Sequence, residues 1–162
     1  MRVVVMGVIG SGKTELGRTL AAQLHWPFLD ADDYHSAQAR AQMATGTPMS
    51  DDDRRPWLLA LRRALGERPE VILACSALKR RYRDILRLPG TRFVYLDVPA
   101  ALVRERLNHR PDHFAGPSLL PSQLEALETP DPSELDVLTL HVSLQDSPGD
   151  LAAHVMTAFN LH

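Results

Sequence analysis

Residues Gly7-Val-Ile-Gly-Ser-Gly-Lys13-Thr14 match G-x-x-x-x-G-K-[ST] in full. Gly7, Gly10 and Gly12, with Ser11 between them, let backbone N–H groups turn inward around a chain of phosphates, and a following helix adds partial positive charge at its N-terminus. Lys13 is then placed to reach the β- and γ-phosphates of ATP, and Thr14 to offer its hydroxyl to Mg²⁺. A glycine turn that merely packs a helix against a strand is the competing reading. The motif sits between an apolar run and a helical pattern, and that context favours nucleotide binding. Switches and motors share such a loop, so any acceptor of the phosphate must be argued from other residues.

Clustered carboxylates follow in Phe28-Leu-Asp30-Ala-Asp32-Asp33-Tyr-His35. At the mouth of a second strand they would face the bound phosphates. If the segment is extended, Asp30 and Asp32 point to the same side, one to orient Mg²⁺ and the other to accept the proton of an attacking hydroxyl. Asp32 or, above all, Asp33 capping a helix that runs towards Met43 is the alternative.

Positive charge gathers in Cys75-Ser-Ala-Leu-Lys79-Arg-Arg-Tyr-Arg83, after a third apolar run. Lysine and forked arginine suit a carboxylate or a phosphate, although a solvated helix face accounts for at least two of the four basic residues. Cys75 reads as a small buried hydrophobe. Arg106 and Arg110 fall four apart on one helical face, where one could stack on adenine and the other neutralise transferring phosphates. A surface salt-bridge face competes with that reading.

These residues need a scaffold, and the chain supplies alternating patterns. Arg2–Met6, Val71–Ala74, Phe93–Leu96 and Leu138–Val142 are short apolar runs that read as strands, with Phe28 to Asp30 a further one. Helical spacing appears at Leu16, Leu20 and Leu24, at Leu58, Leu61 and Leu65 after Pro56, at Leu78, Tyr82 and Ile85, and at Leu102, Val103 and Leu107 after Pro99. Ser147, Pro148 and Asp150 signal the start of a last helix. The expectation is an α/β fold in three layers, a parallel sheet covered by helices on both faces. At 162 residues it forms one domain, 1–162, with the Pro-rich stretch from Asp112 to Pro132 read as a mobile flap.

A balance of 18 basic against 20 acidic residues gives no global field for nucleic acid or a membrane surface. One cysteine rules out an intramolecular disulfide, and the apolar run Val3 to Ile9 is too short to span a bilayer, so a cytoplasmic location is expected.

Together these segments resemble the gluconate kinase (gluconokinase) family, relatives of shikimate and adenylate kinases. The likeness rests on Gly7 to Thr14, Leu29-Asp-Ala-Asp-Asp33 with His35, Gly46 to Arg54 followed by Pro56-Trp57, Cys75 to Lys79 with Tyr82-Arg83-Asp84, and His113-Phe114 with Gln123 and Glu128-Thr-Pro130. The resemblance implies a P-loop kinase fold with a small lid at about 110–130, and transfer of the γ-phosphate of ATP to the 6-hydroxyl of D-gluconate. It implies Lys13 and Thr14 on phosphate and Mg²⁺, Asp32 as base, Arg106 on the nucleotide and Arg110 on the transferring phosphate. His35, Arg54, Lys79 and Arg83 are the candidate acceptor contacts, one basic residue meeting the C1 carboxylate. Asp30 joins Thr14 on the metal, and the resemblance points to a homodimer. A kinase for another hydroxy acid such as shikimate is disfavoured by the Arg54 and Cys75 segments. A nucleotide-binding protein without transferase activity is disfavoured by the presence of Lys13 and Asp32.

Two departures stand out. Ala31 occupies a usual glycine position, and would be strained if the backbone there had positive φ. Arg110-Pro-Asp-His-Phe114 replaces an Arg-Lys-Gly-His-Phe lid sequence, losing one positive charge and gaining a negative one.

Overall fold

A computed structural model describes residues 1–109 and 117–162. In chain order its elements are β1 (Arg2–Met6), α1 (Lys13–Leu24), β2 (Phe28–Asp30), a 3₁₀ turn (Ala31–Tyr34), α2 (Ala37–Ala44), α3 (Asp51–Gly66) and β3 (Val71–Ala74). Then come α4 (Arg80–Leu86), β4 (Thr91–Asp97), α5 (Ala100–Asn108), a 3₁₀ turn (Pro117–Leu119), α6 (Leu120–Ala126), β5 (Val137–His141) and α7 (Pro148–Phe159). The strands form one sheet in the order β2-β3-β1-β4-β5, and every pairing is parallel. β1 is central, which explains why Val3, Val4, Val5 and Met6 are wholly buried and carry no polar alternation.

Alternate residues of β1 serve opposite layers. Val4 and Met6 pack with Leu58, Leu61 and Leu65 of α3 and with Tyr82 and Leu86 of α4. Val3 and Val5 pack with Leu16 and Leu20 of α1 and with Ala152 and Val155 of α7. The three-layer expectation is therefore met. Because the strands run parallel, the loops after β1, β2 and β3 converge at one end of the sheet, where a ligand crevice forms.

Two local expectations are corrected, and the condition set for Ala31 is not met. α3 starts at Asp51, well before Pro56, because Ser50 and Asp53 form a reciprocal capping box and three aspartates fill the first turn. Pro56 is inside the helix, where only one backbone hydrogen bond is forgone. The segment from Pro117 to Ala126 is docked as the second 3₁₀ turn and α6. Leu119 and Leu120 are buried against Val8, Ile9, Val103 and Leu107, which fastens this part of the expected flap to the phosphate loop. Ala31 sits in a 3₁₀ turn and is not among the residues with positive φ, so its methyl brings no backbone strain.

Candidate active site

The loop after β1 has the conformation its glycines permit. Gly10 lies at φ 76° and Gly12 at φ 96°, in the left-handed region. A Cβ at Gly10 would stand 2.9 Å from Leu107, so the loop can press against α5 only without a side chain there. Gly12 is the N-cap of α1 and offers no side-chain hydrogen bond, leaving the helix N-terminus to an outside acceptor. The Ser11 hydroxyl is buried without a partner among the described residues. A loop with an uncapped helix end, a cradle that only glycine allows and an orphaned polar atom fits a phosphate chain.

Lys13 Nζ donates to the Val8 carbonyl at 3.0 Å, folded back along its own loop. Burial pulls its pKa down, and the carboxylates of Asp32 and Asp30 push it back up. Arg106 crosses from α5, its Nη1 donating to the Ser11 carbonyl at 3.2 Å. Arg110 lies outside the described residues.

Lys13 and Thr14 share a cleft with Asp30, Asp32, His35 and Arg54. Strand β2 stops at Asp30, and the chain turns at once into the 3₁₀ turn. The alternation argument for Asp30 and Asp32 therefore fails, although both still reach the cleft. Asp30 is itself the cap of that turn, its Oδ1 accepting from Asp32 N at 3.0 Å. Asp33 is not a cap, and α2 is capped by Ser36. Burial, opposed by the hydrogen bond from Asp32 N, raises the Asp30 pKa.

Asp32 is held by its backbone at both ends. Its N–H goes to Asp30, and its carbonyl accepts from Arg40 Nη2 at 3.0 Å and from His35 N at 3.4 Å. Among the described residues its carboxylate has no hydrogen-bond partner and is free to accept a proton. Asp30 and Thr14 line the same cleft, and a carboxylate and a hydroxyl are donors that would suit a phosphate-bound Mg²⁺. Among the described residues no group of three His, Cys, Asp or Glu could hold a metal unaided.

The far wall is built on α3. Trp57 Nε1 donates to the Ala31 carbonyl at 2.7 Å, tying that helix to the turn that carries Asp30 and Asp32. The indole stacks on His35 with centroids 4.3 Å apart and planes at 13°. Burial, then the neighbouring Arg54 and Arg40, pushes the His35 pKa down to about 4, so the ring is neutral at physiological pH. Its Nδ1 is buried without a partner among the described residues. Arg54 lies over the Tyr82 ring at 5.7 Å and makes only a long contact, Nε to the Met49 carbonyl at 3.4 Å. Among the described residues no carboxylate pairs with it.

The other two basic candidates do not reach the cleft. Arg83 is 1% exposed and bidentate to Glu134, Nε to Oε1 at 2.9 Å and Nη2 to Oε2 at 2.8 Å. Its remaining donors meet the carbonyls of Ala77, Leu78 and Glu128. Lys79 pairs with Asp51 at 3.1 Å, and that carboxylate also takes Tyr82 and Arg81. Both were expected to bind the acceptor, and both are instead neutralised inside the chain. Cys75 lines the base of the cleft, is 1% exposed and has its pKa pushed up by burial to about 12, so it acts as a hydrophobe.

Trp57 and Gln123 were not singled out as site residues, yet both line the cleft. Both are among the residues that carry the family resemblance, but that likeness assigns neither a role, and no local pattern places Gln123 against the phosphate loop.

Comparison with known proteins follows the same lines. The family model described as Shikimate kinase matches residues 9–155. A protein described as "Probable gluconokinase" from Mus musculus is 41% identical, with 96% of each chain covered. Two solved structures superpose closely. A sugar kinase from Janibacter sp. HTCC2649, unliganded, gives a TM-score of 0.91 at 40% identity over 99% of this chain and 94% of the other. A gluconokinase from Sinorhizobium meliloti 1021 gives 0.85 at 38% identity over 98% and 91%.

Proposed function

We propose, for a chain that belongs to the gluconokinase family and is an ATP-dependent kinase, that this cleft passes the γ-phosphate of ATP to the 6-hydroxyl of D-gluconate, giving 6-phospho-D-gluconate and ADP. One observation carries the reading: Lys13 and Arg54, which form no salt bridge among the described residues, share a cleft with the Asp32 carboxylate, which accepts no hydrogen bond among them. The loop and Lys13 take the polyphosphate, and Arg54 takes the sugar-acid carboxylate.

On binding, Lys13 exchanges the Val8 carbonyl for phosphate oxygens, a stronger charge-assisted bond. Arg106 holds the loop from above. Asp32 accepts the proton of the 6-hydroxyl as the new O–P bond forms and the bridging bond to the β-phosphate breaks, leaving ADP. Thr14 and Asp30 are the residues that would hold Mg²⁺, which when bound offsets charge on the phosphates. The neutral His35 ring, fixed by Trp57, supplies a hydrogen bond to an acceptor hydroxyl without adding charge beside Arg54. We place the enzyme in the cytoplasm, where ATP is at hand.

The test is ADP formation with Mg²⁺ and ATP across a panel of sugar acids, with the phosphorylated product identified. D-Gluconate should stimulate it and glucose, which lacks the carboxylate, should be poor. A folded protein that binds ATP while no sugar acid accelerates ADP release would overturn the reading.

A further inference from the structure

Of the loop's backbone donors, that of Ile9 is claimed by a side chain from the far end of the sequence. Its N–H donates to Gln123 Oε1 at 2.6 Å, across 114 residues. An N–H can only donate, so the Gln123 atom facing it is the carbonyl oxygen, and the orientation of the amide is thereby fixed. The other arm, Nε2 with two N–H donors, makes no hydrogen bond among the described residues. Gln123 is half-buried and lines the same cleft as Lys13, Thr14 and Asp32. Ser122, its neighbour on α6 and also on the cleft wall, has its hydroxyl committed to the Leu119 carbonyl at 2.9 Å. Gln123 is thus the α6 side chain that brings an uncommitted donor into the cleft.

The backbone beneath it is rigid on that side. Ile9 is 5% exposed and packs with Leu119 and Leu120 in the cluster that docks α6 on the loop. Gln123 therefore stands on a fixed base, with one arm anchored and one open. An open amide donor in the same cleft as a lysine built for β- and γ-phosphates, and fixed to the phosphate loop itself, suits an anionic phosphoryl oxygen.

We propose that Gln123 contacts the terminal phosphoryl group of the nucleotide, Oε1 holding the Ile9 N–H while Nε2 donates to a γ-phosphate oxygen. The inference rests on the ATP-dependent kinase reading above. It has a signature that a merely structural role lacks. A latch that only shapes the loop supports ATP and ADP alike, because both place phosphates in it. A γ-phosphate contact distinguishes them.

The experiment compares the dissociation constants of ADP and of a non-hydrolysable ATP analogue, with Mg²⁺, for the wild type, Gln123→Met and Gln123→Glu, alongside their melting temperatures. In Gln123→Met the analogue should weaken by about tenfold more than ADP, the effect of losing a hydrogen bond to a charged group. In Gln123→Glu, which can still accept from Ile9 N–H, ADP binding should be nearly kept while the analogue weakens further, because an anionic oxygen replaces the donor. Equal weakening of both nucleotides, or no change in either, in folded variants would overturn the proposal. Failure of the wild type to bind either nucleotide would instead overturn the kinase reading.

Discussion

Arg83 and Arg54 are both arginines on helices at the ligand end of the sheet, and their surroundings could hardly differ more. Arg83, with Arg87 beside it, is closed off by the chain itself. Glu134 takes Arg83 in a bidentate pair and Arg87 Nη2 at 2.8 Å, and Asp136 takes Arg87 Nε at 2.6 Å. Arg54 leans on an aromatic ring, with no carboxylate supplied among the described residues. The buried Arg83 must be compensated, and the fold does so internally, whereas the half-buried Arg54 is left to water or a ligand. The contrast teaches that the count of basic residues near a crevice says little. What marks a binding residue is a counter-ion that the fold has withheld.

Asp32 offers the sharpest way to break this contrast, because it is a cleft carboxylate that accepts no hydrogen bond among the described residues. Asp32→Asn should lower kcat by roughly 10²–10⁴-fold, the usual range for a general base, with ATP binding and melting temperature unchanged. A stability loss with activity retained would make Asp32 a structural group and place it in the other region.

On the closed side, the expected effect falls on stability alone. Glu134→Gln leaves the buried Arg83 without its anion and should cost about 3–5 kcal/mol in denaturant unfolding. The Michaelis constants of whatever protein remains folded should be unaltered. The hydrogen bond from Arg83, with that from Arg87 behind it, holds Glu134 below the usual carboxylate range against the opposing pull of burial. A normal melting temperature with a raised acceptor KM would return Arg83 to the site.

A smaller effect is expected from His35, which belongs to the cleft and is neutral there. Its pKa is about 4 in the fold against 6.5 for the free side chain. Between those values the unfolded chain binds the extra proton, so stability rises with pH across that window. The contribution is present in full above pH 6.5 and is lost as pH falls towards 4, by at most about 3 kcal/mol. The unfolding free energy of the wild type relative to His35→Gln should therefore narrow over that range. Parallel curves would mean that the ring is not held neutral by its surroundings.

Much of this was legible in the sequence, for physical reasons that differ by region. The phosphate loop and the central strand declare themselves because their constraints are local: glycines at left-handed positions, a lysine and threonine at the helix start, and an unbroken apolar run. The same holds for α7, whose Ser147 and Asp150 capping box is present as read. The choice among Arg54, Lys79 and Arg83 was not legible. Arg83 is disposed of by Glu134, 51 residues later, and Lys79 by Asp51, 28 residues earlier, and no local pattern reveals such pairings. The role of Asp30 as a cap depends on β2 ending after three residues, a tertiary outcome that the extended reading could not anticipate. Gln123 carries part of the family resemblance, but its contact with the phosphate loop was not legible, since its partner Ile9 lies 114 residues earlier.

The most direct measurement is the preference for D-gluconate over D-glucose, as the ratio of kcat/KM values, in the wild type and in Arg54→Ala. If Arg54, which no carboxylate pairs among the described residues, is there for the sugar-acid carboxylate, that preference should fall by roughly 10²-fold in the variant, within the range for truncating one partner of a charge pair that the ligand desolvates. The ATP KM and the melting temperature should stay near their wild-type values. An Arg54→Ala protein that is folded, turns over and still prefers gluconate as strongly as the wild type would contradict the account.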